Sequence, residues 1–567
     1  MTVVADGDSL CIEDVVKMAR KQEDLELSSN ARDRIESSRE RVEDVLESGE
    51  TVYGLNTGFG ELVDQRIEKQ EIEDLQLNLV RSHSSGVGDL VYPEAVRAMQ
   101  TVRVNSLAKG YSGVRPIVVE LLVEMVNRDV VPVVPCQGSL GASGDLAPLA
   151  HATLVMIGEG EAWFDGERTD GGKALEAAGL EPVSLKAKEG LALINGTQLT
   201  AALSCLLVRN AERGLRAADA AGALTTEVTL RTTASCEPVL HETRDHDGQK
   251  ATARHVRALT RGSDIAEAHR NCDRVQDAYS LRCIPQVHGA VRDAVEHLRK
   301  AVEVEINSAT DNPLVFHRKA LEEAERREEE KMGEEGKTGE NSGDVGEDPS
   351  SIRGSDGDGG SSGSFPASGT GEAAVLSGGN FHGEPLALRL DYLTSAFTEL
   401  AGISERRIDR LVNPNLQEEF LPPFLAGNAG VESGMMIAQY SAAALVNECR
   451  GVGSVVTDNI PVSGGQEDHV SMSSQAALDA QKIVDNAVRV SAIELLCACE
   501  AAEYVERAPE LYPGAEPGVG TKAVYDRVRD EVPPLKGDRS LHQDIDTVDG
   551  LIRDGDIDTA VKKSLNR

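Results

Sequence analysis

The sequence predicts a mainly α-helical protein built around a bundle of long helices. The stretch from Ser474 to Arg507 is rich in alanine and lacks glycine and proline, which predicts a long helix that packs closely. The stretch from Gly434 to Arg450 has a similar pattern. Apolar residues between Val287 and Val302 recur three and four positions apart, so they share one helical face. Several helices of this length, with few alternating segments, indicate a helical bundle.

Shorter elements are also expected. Apolar positions from Ala31 to Leu46 predict a helix, with Gly49 as its C-cap. Short strands are expected near Ala162 to Phe164.

Composition excludes several classes of protein. The chain has 567 residues, of which 40% are apolar, and a net charge of -37. A field of that sign repels nucleic acid and anionic membranes, and it suits a protein dissolved in high salt. We therefore expect a halophilic cytoplasm, with no signal peptide at Met1 to Asp8. The uncharged stretch from Leu191 to Val208 contains polar residues that a bilayer core would penalise, so no membrane span is expected.

The nine cysteines are scattered and form no CxxC pair, so neither a disulfide framework nor a zinc site is indicated.

An acidic segment over residues 317–372 divides the chain. It contains 15 acids and 7 bases and ends in Gly, Ser, Asp and Pro. Such a composition cannot bury enough apolar surface to offset its ordering entropy, which predicts a disordered surface insertion. We expect an N-terminal domain over 1–200 that carries the reactive loop, and a central and C-terminal helical bundle over 201–316 and 373–567.

The glycine-dense run from Gly138 to Leu149 contains the tripeptide Ala142-Ser143-Gly144. Read alone, the run is a loop that leads into a helix, with Asp145 near the cap. If the backbone bends tightly, the Gly144 nitrogen can approach the Ala142 carbonyl. Cyclisation and dehydration of Ser143 would then give a methylidene-imidazolone ring. Glycine suits the attacking position because it reaches unusual φ and ψ values.

In this context the sequence resembles the aromatic amino-acid ammonia-lyase family, over nearly the whole chain. Further blocks that carry the resemblance are Tyr53 to Gly60, Asn195-Gly196-Thr197, Gln276 to Cys283, Thr310 to Pro313, Ser377 to Pro385 and Gln466 to Met472. The resemblance implies an all-α fold similar to that of the fumarase and aspartase superfamily. It also implies a carbon–nitrogen lyase that makes its own electrophile from Ala142-Ser143-Gly144, with no external cofactor and no metal.

The resemblance implies a role for each residue. Ser143 is dehydrated to 2,3-didehydroalanine and captures the substrate amine, Tyr53 removes the β-proton, and Arg282 holds the carboxylate. The other expected members of the site orient the ring or the substrate, or pack beside them: Asn195, Gln276, Tyr279 and Phe381. Family members are homotetramers with shared active sites, which is the expected assembly.

Two positions bear on the substrate. The family's residues at the Ser82-His83 position read the substrate side chain, and Ser-His is the pattern of members that act on histidine. Glu467 replaces an amide of the phenylalanine and tyrosine members, and a carboxylate can accept a hydrogen bond from an imidazole N–H. We therefore expect L-histidine as substrate, gripped by His83 and Glu467, with trans-urocanate and ammonia as products in the first step of histidine degradation.

Each motif also has a plainer interpretation. Standing alone, Tyr53 is a core tyrosine, Asn195 a helix cap and Arg282 half of an ion pair. For His382 and His469 the plainer interpretation, as core histidines, is preferred. Ala278 and the step from Pro135 to Gln137 depart from the family pattern without touching an expected catalytic atom.

Three rival functions remain open. A tyrosine or phenylalanine lyase or aminomutase would use the same ring. The fumarase and aspartase group carries a Gly-Ser-Ser loop ending in Met-Pro-x-Lys-x-Asn, and this chain lacks that motif. A catalytically silent structural homologue is disfavoured because Tyr53, Ser143, Arg282 and Glu467 are all present.

Overall fold

The long helices predicted from the sequence form the centre of the molecule. The computed structural model describes residues 2–52, 54–55, 71–141, 144–268, 275–338, 368–369, 372–457, 460–509 and 511–566. The N-terminal helices are α1 Ile12–Ala19, α2 Ser29–Ser48, α3 Ile72–His83, α4 Pro93–Ala108, α5 Pro116–Asn127, α6 Leu146–Met156, α7 Gly171–Ala177 and α8 Glu189–Ile194. The middle of the chain contains α9 Gln198–Val228, α10 Pro238–Glu242, α11 Asp247–Leu259, α12 Asp264–Ala268, α13 Tyr279–Arg282, α14 Ile284–Glu305 and α15 Arg318–Thr338. The C-terminal helices are α16 Glu384–Val412, α17 Met436–Gly451, α18 Ser473–Ala502, α19 Val519–Glu531, α20 His542–Asp554 and α21 Asp556–Leu565.

The strands are short. They are β1 Thr2–Ala5, β2 Asp24–Leu27, β3 Val87–Leu90, β4 Val131–Pro132, β5 Pro135–Gln137, β6 Glu161–Phe164, β7 Glu167–Asp170, β8 Leu314–His317 and β9 Ala373–Leu376. Strands β1 and β2 pair in parallel, with Thr2 opposite Asp24. The other pairs, β3 with β5, β4 with β6, β6 with β7 and β8 with β9, are antiparallel. The expected strand near Ala162 is thus confirmed as β6.

The bundle core consists of α9, α14, α16 and α18, which pack along one another. Small residues let α9 and α18 approach closely: a Cβ on Gly214 would lie 2.6 Å from Cγ2 of Val488. The apolar residues Ile493, Leu495 and Leu496 of α18 are at most 1% exposed. Each such side chain contributes about 1.5–3 kcal/mol by burial. Buried apolar residues on both sides of position 200 belong to one continuous core.

The predicted helix boundaries are mostly right. Helix α2 ends at Gly49, whose φ of 74° is the left-handed conformation expected of a C-cap glycine. Helix α18, however, ends at Ala502, and residues Val505–Arg507 form a separate one-turn 3-10 helix. The expected end at Arg507 was wrong because a run of good helix formers cannot show where the neighbouring helices stop providing contacts.

The acidic segment differs from the expectation over its first part. Arg318–Thr338 is helical, where the composition predicted disorder. Its Glu, Lys, Arg and Ala residues have high helix propensity, and Glu323 and Arg327 are placed for an (i, i+4) ion pair. Residues 339–367 and 370–371 lie outside the described residues. No helix in the described part of the chain is long and apolar enough to cross a membrane. The eight described cysteines are all free thiols.

Candidate active site

The N-terminal end of α9 adjoins the loop that contains the reactive tripeptide. Ala142, Ser143 and Tyr53 lie outside the described residues. Gly144 pairs with Gly196 in a parallel bridge and has a φ of 81°. A Cβ on Gly144 would lie 2.2 Å from the carbonyl oxygen of Gly196, so only glycine fits this approach.

The other flank of the tripeptide is equally crowded. Gly141 has a φ of 70°, and a Cβ there would lie 2.2 Å from Oγ of Ser471. The carbonyl of Gly141 accepts a hydrogen bond from this Ser471 hydroxyl at 3.1 Å. The backbone N–H of Met472 donates to the carbonyl of Leu140 at 2.7 Å. The backbone is therefore held on both sides of residues 142–143, as formation of a ring from the backbone requires.

Asp145 anchors the loop to α9. Its carboxylate accepts hydrogen bonds from the backbone N–H and the hydroxyl of Thr200, at 2.9 and 3.1 Å. The sequence suggested a helix cap at Asp145. It does occupy the N-cap position of α6, but its side chain makes no capping hydrogen bond there. Complete burial raises the pKa of Asp145 to about 6, although the hydrogen bonds from Thr200 oppose the shift.

Asn195 is the C-cap residue of the short helix α8, and its residue surface is only 4% exposed. The buried guanidinium of Arg103, on α4, donates to the carbonyl of Asn195 at 3.0 Å and to Oε1 of Gln198 at 2.9 Å. It also donates to the carbonyl of Ala192. The sequence interpretation missed Arg103. The available signal was an arginine inside a helix whose residues from Ala95 to Leu107 are all buried.

His83 lies within electrostatic range of the carboxylate of Glu467, and their expected grip on the substrate stays a prediction. Nδ1 of His83 lies 2.9 Å from the carbonyl of Leu79. Because a carbonyl only accepts, the neutral ring carries its proton on Nδ1 and leaves Nε2 as an acceptor. Burial lowers the pKa of His83, and the carboxylate of Glu467 is close enough to oppose that shift. Glu467 lies in a loop closed by backbone hydrogen bonds with Val462.

Phe381 also lies near this loop. It is half-buried and precedes Gly383, whose N–H donates to the carbonyl of Gly141 at 3.3 Å. The adjacent His382 and His469 stack with ring centroids 5.8 Å apart. The preference for core histidines at these two positions was wrong, because His382 is half-buried and His469 is exposed.

The remaining expected site residues lie at the opposite end of α9. Asp277 accepts a hydrogen bond from the backbone N–H of Thr232 at 3.1 Å and lies 3.6 Å from the guanidinium of Arg231. Both partners of Asp277, Arg231 and Thr232, lie just beyond the C-terminal end of α9 at Val228. Gln276 and Tyr279 therefore lie near this end and are exposed, Tyr279 by 71%. The 31 residues of α9 span about 46 Å at 1.5 Å per residue.

Arg282 is half-buried and its guanidinium lies 5.1 Å from the ring centre of Tyr279. Among the described residues no carboxylate lies within ion-pair distance of Arg282. The ion-pair interpretation therefore finds no partner within the described part of the chain.

The described members of the predicted site thus fall into two groups. We call the first the tripeptide half-site: Gly144, Asn195, His83, Phe381 and Glu467. We call the second the clamp half-site: Gln276, Tyr279 and Arg282. The residues that flank positions 142 and 143 have positive φ and are held by backbone contacts, and the bundle fold is that of carbon–nitrogen lyases.

Comparison with known proteins identifies the family. The family model for aromatic amino acid lyases matches residues 10–530, and the chain belongs to this family. The chain is 52% identical to a probable histidine ammonia-lyase of Halobacterium salinarum over 564 residues, which cover 100% of this chain and 98% of that protein.

Solved structures agree with this assignment. The crystal structure of histidine ammonia-lyase from Trypanosoma cruzi matches with a TM-score of 0.82 and 37% identity, covering 100% of this chain and 96% of that one. Tyrosine aminomutase from Streptomyces globisporus matches with a TM-score of 0.84 and 34% identity, covering 100% and 99%. The all-α fold expected from the sequence is confirmed. The family uses an autocatalytic methylidene-imidazolone group and no external cofactor.

Proposed function

We propose that this chain eliminates ammonia from L-histidine to give trans-urocanate. The observation that carries the substrate is that His83, whose Nδ1 is held by the carbonyl of Leu79, lies within electrostatic range of the carboxylate of Glu467. Both present hydrogen-bond acceptors, the carboxylate of Glu467 and Nε2 of neutral His83. An imidazole ring offers N–H donors to such a pair, whereas a phenyl ring offers none and would leave the carboxylate unpaired.

The prosthetic group assigned to Ala142-Ser143-Gly144 fits the geometry around it. Gly141 and Gly144 both have positive φ, and neither position has room for a Cβ. When formed, the group supplies an electrophilic carbon that binds the amine and makes nitrogen a better leaving group. Ser143 provides that carbon by losing its hydroxyl as water.

The chain's own side chains divide the remaining work. Tyr53 takes the β-proton, which requires a phenol pKa below its usual value of about 10. Asn195 orients the substrate through its amide, and Phe381 packs beside the tripeptide. Arg282 binds the substrate carboxylate in a bidentate geometry, while Gln276 and Tyr279 orient the same end of the substrate.

These roles require a second copy of the chain. The tripeptide and clamp half-sites are separated by about the length of α9, roughly 46 Å, and no amino acid reaches from one to the other. The expected homotetramer supplies the clamp of one chain to the tripeptide of another. Exposed apolar side chains on α16 and α17 suit such a contact: Leu388, Tyr392, Ile437 and Tyr440. Light scattering should give four times the chain mass of 60.5 kDa.

The substrate proposal is tested by comparing L-histidine with L-tyrosine and L-phenylalanine. We expect urocanate absorbance from L-histidine and at least about a hundredfold lower kcat/KM for the other two, equivalent to about 2.7 kcal/mol. Coumarate from tyrosine, or a β-amino acid product, with no urocanate from histidine would refute the choice of substrate.

The Ser143→Ala variant tests the electrophile. It should fold and assemble but lose near-UV absorbance beyond the aromatic band and at least about a thousandfold in kcat, or about 4 kcal/mol. Ser139→Ala is the matched control in the same loop, since its hydroxyl is not expected to leave. Full activity in Ser143→Ala would refute the prosthetic group.

We also propose that the enzyme works in the cytoplasm of a halophile. The net charge of -37 produces self-repulsion that salt screens. The similarity of this chain to a protein of Halobacterium salinarum supports this view. The unfolding temperature should rise steadily between low salt and molar KCl, and a decrease would contradict the proposal.

A further inference from the structure

The guanidinium of Arg103 carries a full positive charge in the interior of the molecule. Its residue is 2% exposed, and burial lowers the pKa of the guanidinium to about 10. Its hydrogen-bond partners are the carbonyl oxygens of Ala192 and Asn195 and the amide oxygen of Gln198. Within the described residues no carboxylate lies at ion-pair distance from it. The charge of Asp311 opposes this shift without contacting the guanidinium, so the buried charge is still costly and its presence calls for a reason beyond stability.

The position of Arg103 indicates that reason. The turn that it holds, Asn195 to Gly196, is the backbone that pairs with Gly144. A Cβ on Gly196 would lie 2.7 Å from Nη1 of Arg103, and one on Gly144 would lie 2.6 Å from the nitrogen of Gly196. The backbone of the Asn195–Gly196 turn therefore lies between the guanidinium of Arg103 and Gly144, the last residue of the tripeptide.

We propose that Arg103 is a positioning residue for ring formation, because it holds the Asn195–Gly196 turn against Gly144. In that step the nitrogen of Gly144 bonds to the carbonyl carbon of Ala142. The carbonyl oxygen leaves as water with the amide protons of Ser143 and Gly144. A second water takes the hydroxyl and the α-proton of Ser143, so two waters leave and nothing is oxidised or reduced. This inference rests on the proposed function.

The geometry also explains why lysine cannot replace the arginine. The guanidinium reaches the oxygens of Asn195 and Gln198 through different nitrogens, Nη2 and Nη1. A lysine ammonium has the charge but is a single point on a flexible stem. Gln198 is itself fixed, since its Nε2 donates to Oγ1 of Thr310 at 2.7 Å.

The test follows the mass of freshly made chains over time. Wild type, Arg103→Lys and Arg103→Met are purified after a short induction, and intact mass spectrometry measures the rate at which two waters are lost. We expect about a tenfold slower loss in both variants, which corresponds to about 1.4 kcal/mol in the barrier. Growth of near-UV absorbance should slow by the same factor.

Arg97→Met and Arg97→Lys are the matched controls. Arg97 lies on the same helix α4, is 6% exposed, and pairs with Asp129 at 2.7 Å. Its variants should lose stability in urea but mature at the wild-type rate. Unchanged maturation in a folded Arg103 variant would overturn the proposal. If neither Arg103 variant folds while the Arg97 variants do, Arg103 is structural and the proposal also fails.

The result separates this inference from the proposed function. A wild-type chain that keeps its full mass refutes the prosthetic group itself. A wild-type chain that loses two waters, with Arg103 variants that do so equally fast, refutes the role of Arg103 alone.

Discussion

The two ends of helix α9 differ in how completely one chain builds them. At its N-terminal end Asp145 is fully buried and Asn195 is 4% exposed. Hydrogen bonds from Thr200 and Arg103 hold this half-site in place. At its C-terminal end Tyr279 is 71% exposed. The difference teaches that the backbone around Gly144 is fixed by contacts within one chain, whereas the clamp residues are exposed in one chain, as the proposed sharing of sites between copies requires.

Mixing two inactive variants gives the largest expected effect on this comparison. Ser143→Ala destroys the tripeptide half-site and Arg282→Met destroys the clamp half-site, so each variant alone should be nearly inactive. If sites are shared between chains, co-expression restores intact sites statistically, to about a quarter of wild-type activity. Urocanate formation by the purified mixed tetramer is the measurement, with Ser143→Ala mixed with Asn195→Ala as control. Both of those changes fall in the tripeptide half-site, so the control mixture should stay inactive. No activity from the first mixture would place the whole site in one chain.

Glu467→Gln should weaken recognition of the substrate at the tripeptide end. Loss of a charged acceptor for the imidazole lowers kcat/KM for L-histidine by about 10 to 100-fold, or about 1.4–2.7 kcal/mol. The neighbouring change Asp468→Asn controls for the loss of one charge from the same loop. Equal effects of the two changes on histidine turnover would argue against a specific role for Glu467.

Asp277→Asn should loosen the clamp half-site alone. It removes the carboxylate that faces Arg231 at 3.6 Å and accepts from Thr232 at 3.1 Å. We expect KM for L-histidine to rise about fivefold, or about 1 kcal/mol, because Gln276 and Arg282 are less well held. The two-water mass loss should be unchanged. Slower maturation would mean that the two ends are not independent.

The smallest effect on activity is expected from a buried carboxyl at the clamp end, whose replacement should change stability instead. Burial raises the pKa of Glu227, in the last turn of α9, to about 7 from 4.5. The folded chain therefore binds more protons here than the unfolded chain between these pH values, so the free energy of unfolding falls as pH rises through them. The total loss is at most about 3 kcal/mol.

Glu227→Gln should flatten this part of the stability profile. Urea unfolding at pH 5 and pH 8 measures it, with exposed Glu47→Gln as control. An unchanged difference between the two pH values would show that Glu227 does not cause the slope.

Predictions from the sequence succeeded where local pattern decides the structure. Gly49 ends α2 as a left-handed cap, and α14 and α17 lie close to their expected bounds. The errors lie where contacts between residues far apart in the sequence decide the structure. The helix expected to reach Arg507 stops at Ala502, and His469 is exposed instead of buried. Periodicity contains no information about which neighbours cover a residue.

The site was predicted in parts. The motifs assigned both His83 and Glu467 to the substrate, although 384 positions separate them in the sequence, and their joint grip on an imidazole stays a prediction. Arg103 could not, because its role depends on packing of α4 against the turn after α8, which no short motif encodes.

By itself the sequence determined the helical class, the family and the presence of the tripeptide, because these follow from composition, periodicity and ordered motifs. Only the tertiary structure decided that Gly144 and the clamp residues lie at opposite ends of α9. It also decided that a buried arginine stands behind Gly196. Both are consequences of packing, since the length and direction of a helix place residues in space in a way that their order along the chain does not reveal.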